Sequence, residues 1–335
     1  MSGTMPSEYA SPATDGLRAV LEAAADAIET RQPAVLALVV ETEGSTYVGV
    51  GAMALFGAPA GQVGWLSGGC LEPEIERRAG EIARTSAIGW MDIDTRDDED
   101  LLSGSALGCR GRLRIALLPL LAMPGFEALV RAWLVDGAAL DFDLDLSGTF
   151  VAAAGDAART WQLAASAPDW PNAQAQRWRM RLQPPPKVIV FGAGPETPTL
   201  LPLLRGMGWM TTLAERRPRW LAYGAAADRL IEAMPAAASQ RAPSADAALV
   251  MHHNFELDRE ALSVLADGAI PFVGLLGPVR RREDLFRLLT PVQRAALSAR
   301  LRSPIGLKLG GSGPQAIALS IAAQLQAYRH GEAPR

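Results

Sequence analysis

The chain has 335 residues, a formal net charge of -4, 49% hydrophobic residues and 20% charged residues. That length accommodates two domains with separate cores, and the slightly acidic balance excludes a general attraction to nucleic acid or to an acidic membrane surface. Two cysteines, Cys70 and Cys109, exclude a disulfide framework in a chain of this size.

Residues 1–13 read as a flexible polar tail without the apolar core of a signal peptide. The apolar runs at 34–40 and 188–191 are strand-sized and too short to span a bilayer. The chain is therefore expected to be cytoplasmic, with neither a membrane nor a nucleic acid as partner.

Thr14 or Asp15 can cap a first helix that places Leu17, Val20, Leu21, Ala24 and Ile28 on one face. Pro33 stops it, and the β-branched run 34–40 reads as a buried strand. Gly44, Gly49, Gly51 and Gly57 punctuate the loop and short strands that follow.

Ser67-Gly68-Gly69-Cys70-Leu71-Glu72 then hands an apolar run over to a helix predicted from about 71 to 85, with Pro73 in its first turn. Glycines there let a ligand approach the backbone, and a helix N-terminus favours anions and the charged form of a thiol. The motif suits an anionic ligand or a soft metal centre. It equally suits a tight turn around a cysteine packed as a small hydrophobe.

Residues 92–100 form an acidic segment expected as a solvated loop, because its carboxylates lack EF-hand spacing. A strand is predicted over 112–120 and a helix over 126–135, and the alternating runs within 142–182 suggest an antiparallel subdomain. Pro184-Pro185-Pro186 is a stiff linker and the clearest boundary. It separates an N-terminal domain, 14–183, from a second domain, 187–330.

After the linker the pattern becomes strand (187–191), glycine turn (Gly192-Ala193-Gly194), helix (197–207) and strand (210–214), with Glu215 at the end of the second strand. That is the layout of a dinucleotide-binding βαβ unit, in which glycines admit a pyrophosphate and the acidic residue meets a ribose hydroxyl. The match is incomplete: Thr197 stands at the third fingerprint glycine, and Pro195 has no N–H to offer a phosphate.

Further strands at 248–251 and 270–276 flank a helix at 257–265. Ligands of doubly wound sheets sit beyond the carboxyl ends of the strands. His252 and His253 emerge at one such end, and Gly277 with Arg280, Arg281 and Arg282 at the next. His253 is a candidate acid, base or ligand and at least one arginine a candidate anion contact. A structural histidine and a solvated helix start are the plain alternatives. The fold expected is an N-terminal α+β domain followed by a Rossmann-like, doubly wound parallel-sheet domain.

The assembled segments resemble the xanthine dehydrogenase accessory proteins, the XdhC/CoxI family. The likeness is carried in order by Gly44-Ser45, Gly68-Gly69-Cys70-Leu71-Glu72 and Leu107-Gly108-Cys109-Arg110-Gly111. It continues through Val190-Phe191-Gly192-Ala193-Gly194, Val250-Met251-His252-His253 and Phe272-Val273-Gly274-Leu275-Leu276-Gly277. It ends with Arg302-Ser303-Pro304-Ile305-Gly306 and Ile317-Ala318-Leu319-Ser320.

The resemblance implies a chaperone without established turnover chemistry that binds molybdenum cofactor (molybdopterin). It would deliver the cofactor to a molybdenum hydroxylase apoenzyme of the xanthine dehydrogenase type, with a cysteine desulfurase as a second partner and a homodimer as the expected assembly. In that reading Cys70 and Cys109 approach the metal, and their two loops converge on one site with Gly68 and Gly69. Glu72 caps the helix or holds a pterin N–H, while Gly192, Gly194, Glu215, His253 and Arg280 contact cofactor from the second domain across a cleft.

Differences from the family pattern fall on the loops. Thr46-Tyr47-Val48-Gly49-Val50 stands where a proline and basic residues are usual. Pro195 replaces a histidine, His252 a threonine, Pro278 a serine and Lys308 an acidic residue. Two other readings follow from the residues alone: an NAD(P)-dependent oxidoreductase using Gly192, Gly194 and Glu215, and a scaffold that binds a partner enzyme without a cofactor.

Overall fold

The computed structural model describes residues 16–58, 61–95, 111–165, 177–242 and 244–331. The chain divides into two compact units, with the boundary between Pro185 and Pro186.

In the N-terminal unit, strands β1 (Val35–Gly44), β2 (Met53–Ala58), β3 (Gly61–Val63), β4 (Ala87–Asp94), β5 (Gly111–Pro119) and the short β9 (Ala164–Ala165) form one sheet in the order β3-β2-β1-β5-β4-β9. Strands β6 (Leu140–Asp145), β7 (Thr149–Ala154), β8 (Ala157–Gln162) and β10 (Arg177–Leu182) form a second, antiparallel sheet in the order β10-β6-β7-β8.

The run that read as a buried strand is buried on both faces, and the alternation of side chains explains how. Leu36, Leu38 and Val40 of β1 share a core with helix α1 (Leu17–Glu29) and the inner face of the second sheet. Val35, Ala37 and Val39 face helix α2 (Glu72–Ile82) through Ile75 and Ala79. A short helix α3 (Phe126–Arg131), continued by one π-helical turn, inserts Phe126 among Phe142, Phe150 and Trp161.

Glu41 of β1 ties the two sheets together. It accepts a 2.9 Å hydrogen bond from Trp178 Nε1 of β10 and pairs with Arg114 of β5. The Trp90 and Trp178 rings meet beside it, with centroids 5.4 Å apart.

Two expectations shift here. The first helix begins after Gly16, which is left-handed at φ 79 and offers no side-chain cap; Thr14 and Asp15 lie outside the described residues. Asp92 and Asp94 do not belong to a solvated loop: they sit on β4 opposite Arg114 and Arg112 of β5, and Arg112 grips Asp92 through two nitrogens. Cross-strand pairing of opposite charge supports strand structure where acidic composition suggested a loop.

In the C-terminal unit, β11 (Lys187–Phe191), β12 (Met210–Ala214), β13 (Arg229–Ile231), β14 (Ala247–Val250), β15 (Phe272–Leu275) and β16 (Leu301–Arg302) form an all-parallel sheet in the order β13-β12-β11-β14-β15-β16. Taken from its first strand, that is the 3-2-1-4-5-6 order of dinucleotide-binding folds, and the switch point lies between β11 and β14.

Helices α4 (Thr197–Gly206) and α9 (Pro314–Arg329) cover one face, where Val188 and Val190 meet Leu200, Leu204, Ile321 and Leu325. Helices α5 (Pro235–Arg241), α6 (Phe255–Asp267), α7 (Val279–Arg287) and α8 (Pro291–Ser298) follow the other strands. Ile189 and Phe191 pack with Leu262, Leu265 and Leu285 on the opposite face. Continuous apolar runs such as 187–191 suit strands buried on both sides. No helix among the described residues is long and apolar enough to cross a membrane.

Candidate functional site

In the N-terminal unit the glycine loop ends at α2, and its shape is fixed by Ser67 and Glu72. Glu72 is buried and turns back into the loop, accepting hydrogen bonds from Leu66 N at 3.0 Å, Ser67 N at 2.8 Å and the Ser67 hydroxyl. Burial alone would raise the Glu72 pKa, but the hydrogen bonds from Ser67 hold it below the usual carboxylate range. Ser67 Oγ in turn accepts from Gly69 N and Leu71 N, both at 3.1 Å. Glu72, expected to cap the helix or hold a pterin N–H, therefore staples the loop that precedes the helix.

That staple leaves Cys70 exposed, directly before α2. Its Sγ lies 3.6 Å from Ser67 Oγ. The Ser67 hydroxyl gives its one hydrogen to Glu72 and takes Gly69 N and Leu71 N on its two lone pairs, so the loop itself uses all its hydrogen-bonding capacity. Glu72 and Glu74 occupy the first turn of α2 and already complement its dipole. The anion preference expected of this helix start is thereby offset.

Gly68 is exposed, and a Cβ there would meet nothing within 4 Å. Gly69 has φ 104, a conformation that favours glycine. Tyr47 and Trp65, both large and exposed, lie close to this loop in sequence or in space; Tyr47 lines a cleft with Cys70, and a Cβ on Gly69 would come within 3.9 Å of the Trp65 ring.

The cleft is small, about 20 Å³, and Ser45, Thr46, Ser67, Cys70 and Gly111 are among its lining residues. It holds room for a water, so a larger ligand would meet the thiol at the surface. Gly111 packs so tightly that a Cβ would lie 2.4 Å from Ser45 O, which brings three of the sequence motifs to one place. Cys109 itself lies outside the described residues. Among the described residues no group of three or more His, Cys, Asp or Glu side chains is arranged to hold a metal ion.

The carboxyl edge of the C-terminal sheet holds a second cluster. Gly192 turns at φ 88 and a Cβ there would strike His252, the nearest atom at 2.4 Å; one on Gly194 would lie 2.6 Å from Glu196 Oε1 and 2.8 Å from His253 Nε2. The turn is glycine-rich because the chain's own side chains crowd it. Its donors are engaged as well: Ala193 N donates to Glu215 at 2.8 Å and Gly194 N to Thr197 Oγ1 at 2.8 Å.

Glu215 corrects the sequence-based expectation. It is buried, and its carboxylate accepts from Ala193 N, Arg216 N, Arg217 N and the Arg217 guanidinium, the last at 2.6 Å. Burial opposes ionisation, but these hydrogen bonds and the Arg217 charge outweigh it and lower its pKa to about 2. No oxygen of Glu215 is left for a ribose hydroxyl. Arg217 also reaches Ala193 O and His252 O, clamping the glycine turn to the end of β14.

His253 adopts φ 54 and is half-exposed, with Nε2 3.1 Å from Oε1 of the buried Glu196. His252 is buried against Asp258, which also pairs with Arg281 at 2.6 Å. Arg280, the arginine singled out from sequence, is exposed, and it is Arg281 that joins the cluster. Sequence reasoning missed Glu196 and Asp258; the signal available for Glu196 was a carboxylate inside a fingerprint position that ordinarily tolerates any residue.

The bond to Glu196 raises the His253 pKa against the effect of burial. A raised histidine stabilises the fold fully below its ordinary pKa, and the contribution is lost as pH rises through the folded value. The melting temperatures of the wild type and His253→Gln are therefore expected to differ most at pH 5.5–6 and to converge at higher pH, roughly 8–9. A constant difference across that range would exclude the ion pair as its source.

Residues 27–91 match the family model described as XdhC and CoxI family, and residues 188–325 match the XdhC Rossmann domain. The chain belongs to the XdhC/CoxI family. Members are related to the xanthine dehydrogenase accessory proteins.

This XdhC/CoxI chain is 28% identical over 324 residues to a probable xanthine dehydrogenase subunit from Bacillus subtilis (strain 168), an alignment covering 89% of the chain and 94% of that protein. The crystal structure of a xanthine dehydrogenase from Bacillus halodurans superposes with a TM-score of 0.73 at 27% identity, covering 93% of this chain and 97% of that one. The two-part architecture of an α/β unit followed by an all-parallel sheet is thus that of the XdhC fold.

Proposed function

We propose that this chain is an accessory protein that binds molybdenum cofactor and passes it to the apo form of a xanthine dehydrogenase-type molybdenum hydroxylase. The observation that carries the reading is the exposed Cys70 thiol on a glycine loop fixed by Ser67 and Glu72, in a chain of the XdhC/CoxI family. Family membership supports the client class, and the Bacillus subtilis relative, named for xanthine dehydrogenase, supports the same assignment.

Among the described residues the donor set fits a soft contact to a metal–sulfur centre: the accessible Cys70 thiol, with open space over Gly68 for a bulky group. When bound, the cofactor supplies a soft molybdenum–sulfur centre with affinity for thiolate. The chain's part is to present Cys70 Sγ and to keep the loop rigid through Ser67 and Glu72. Convergence of the Cys109 loop on this site, and a cysteine desulfurase as the source of the terminal sulfur, belong to the same proposal.

Anaerobic purification followed by quantification of molybdenum, pterin and nicotinamide nucleotide tests it. Near-stoichiometric molybdenum and pterin are expected. Bound nicotinamide nucleotide with no molybdenum would replace this reading with the oxidoreductase, and neither would leave a scaffold.

A further inference from the structure

A cavity of about 500 Å³ opens in the C-terminal unit against α7, α8 and the segment after β16. Arg282 and Arg287 of α7, Arg294 of α8 and Ser303 line it, with Glu283 as the carboxylate among them and Phe286 as an aromatic wall. The molybdenum reading gives this cavity no role, and Ser303 belongs to the Arg302-Ser303-Pro304-Ile305-Gly306 motif, which the Cys70 loop does not use.

The three guanidiniums are held without being fully neutralised. Arg282 donates to Ser303 O at 3.3 Å and Arg294 to Phe286 O at 3.2 Å, both uncharged carbonyls. Arg287, largely exposed, pairs with Asp284 at 3.0 Å, while the Arg282–Glu283 approach is a loose 4.0 Å. Each arginine has five N–H donors, so most remain for a ligand.

Three arginines facing one space favour an oxyanion carrying more than one negative charge, because the guanidinium fork matches phosphate geometry. The volume lies within the range of small-molecule sites and far exceeds a bare phosphate. The half-buried Phe286 lines the same space and supplies apolar aromatic surface against which a flat ring can pack.

We propose that this cavity binds an organic phosphate of about mononucleotide size, with its phosphate held by Arg282, Arg287 and Arg294 and its ring against Phe286. The site is separate from the glycine turn at the end of β11, whose amides Ala193 N and Gly194 N are already engaged.

Isothermal titration of the full chain with AMP, inorganic phosphate and adenosine tests the proposal without reference to molybdenum. AMP is expected to bind, inorganic phosphate to bind at least tenfold more weakly, and adenosine not to bind detectably. Arg294→Ala should weaken AMP at least tenfold. Glu283→Gln removes an exposed carboxylate that supports no buried contact, and should tighten AMP severalfold. The second variant decides the matter if the first fails to fold. Absence of AMP binding, equal binding of adenosine, or AMP affinity unchanged in Glu283→Gln would overturn the site.

Discussion

Cys70→Ser is expected to reduce the molybdenum cofactor retained through anaerobic purification at least tenfold while leaving the melting temperature almost unchanged. The first half follows from sulfur chemistry. Thiolate is the soft ligand, and a serine hydroxyl in the same place is a hard, weakly acidic substitute. A tenfold loss corresponds to about 1.4 kcal/mol of binding free energy, a modest demand on one metal–sulfur contact.

The second half follows from exposure. Cys70 is exposed, and among the described residues its side chain makes only the long 3.6 Å approach to Ser67. Exposed substitutions away from caps and buried networks usually stay within about 0.5 kcal/mol. Measurement of bound molybdenum per chain, alongside a thermal melt, separates the two effects. Full retention of cofactor by the serine variant would remove Cys70 from the site.

Glu215→Ala is expected to have the largest effect on stability, about 3–5 kcal/mol, the range for removing one partner of a buried ion pair. The substitution strands the N–H groups of Ala193, Arg216 and Arg217 together with the guanidinium that crosses to His252 O. Urea unfolding followed by circular dichroism gives the difference directly.

The same contact sets an acid limit. The folded pKa of Glu215 lies at about 2, below its ordinary value. Its stabilisation is complete above the ordinary carboxylate range and is lost as pH falls from there toward about 2. The gap between wild type and Glu215→Ala should therefore narrow between about pH 4.5 and pH 2. A small effect of the alanine variant at neutral pH would instead leave room for Glu215 to face a ligand.

The parallel sheet was readable from composition because its strands are short, continuous and apolar, as in 187–191 and 247–250, and are separated by helical periods. The β1 run was readable for the same reason. The short strands β13 and β16 were not, since three and two residues carry no period to detect. Asp92 was misread because local acidity says nothing about Arg112, twenty positions away and its neighbour across the sheet.

The candidate sites divide along the same line. Glycine spacing located the Cys70 loop and the turn after β11, since glycine demand is local. Whether a turn accepts a ligand or the chain itself depends on distant groups. Glu215, Glu196 and His252 fill the second turn through contacts made across 22 to 60 positions, and no local pattern announces those contacts.

The Glu41 strut gives the N-terminal unit an optical gauge of its own. Two indoles held 5.4 Å apart at the seam between sheets form an excitonically coupled pair, so near-ultraviolet dichroism should report on that seam without any label. A client that pries the sheets apart would bleach the signal, whereas one that merely lands on the cysteine loop would leave it standing.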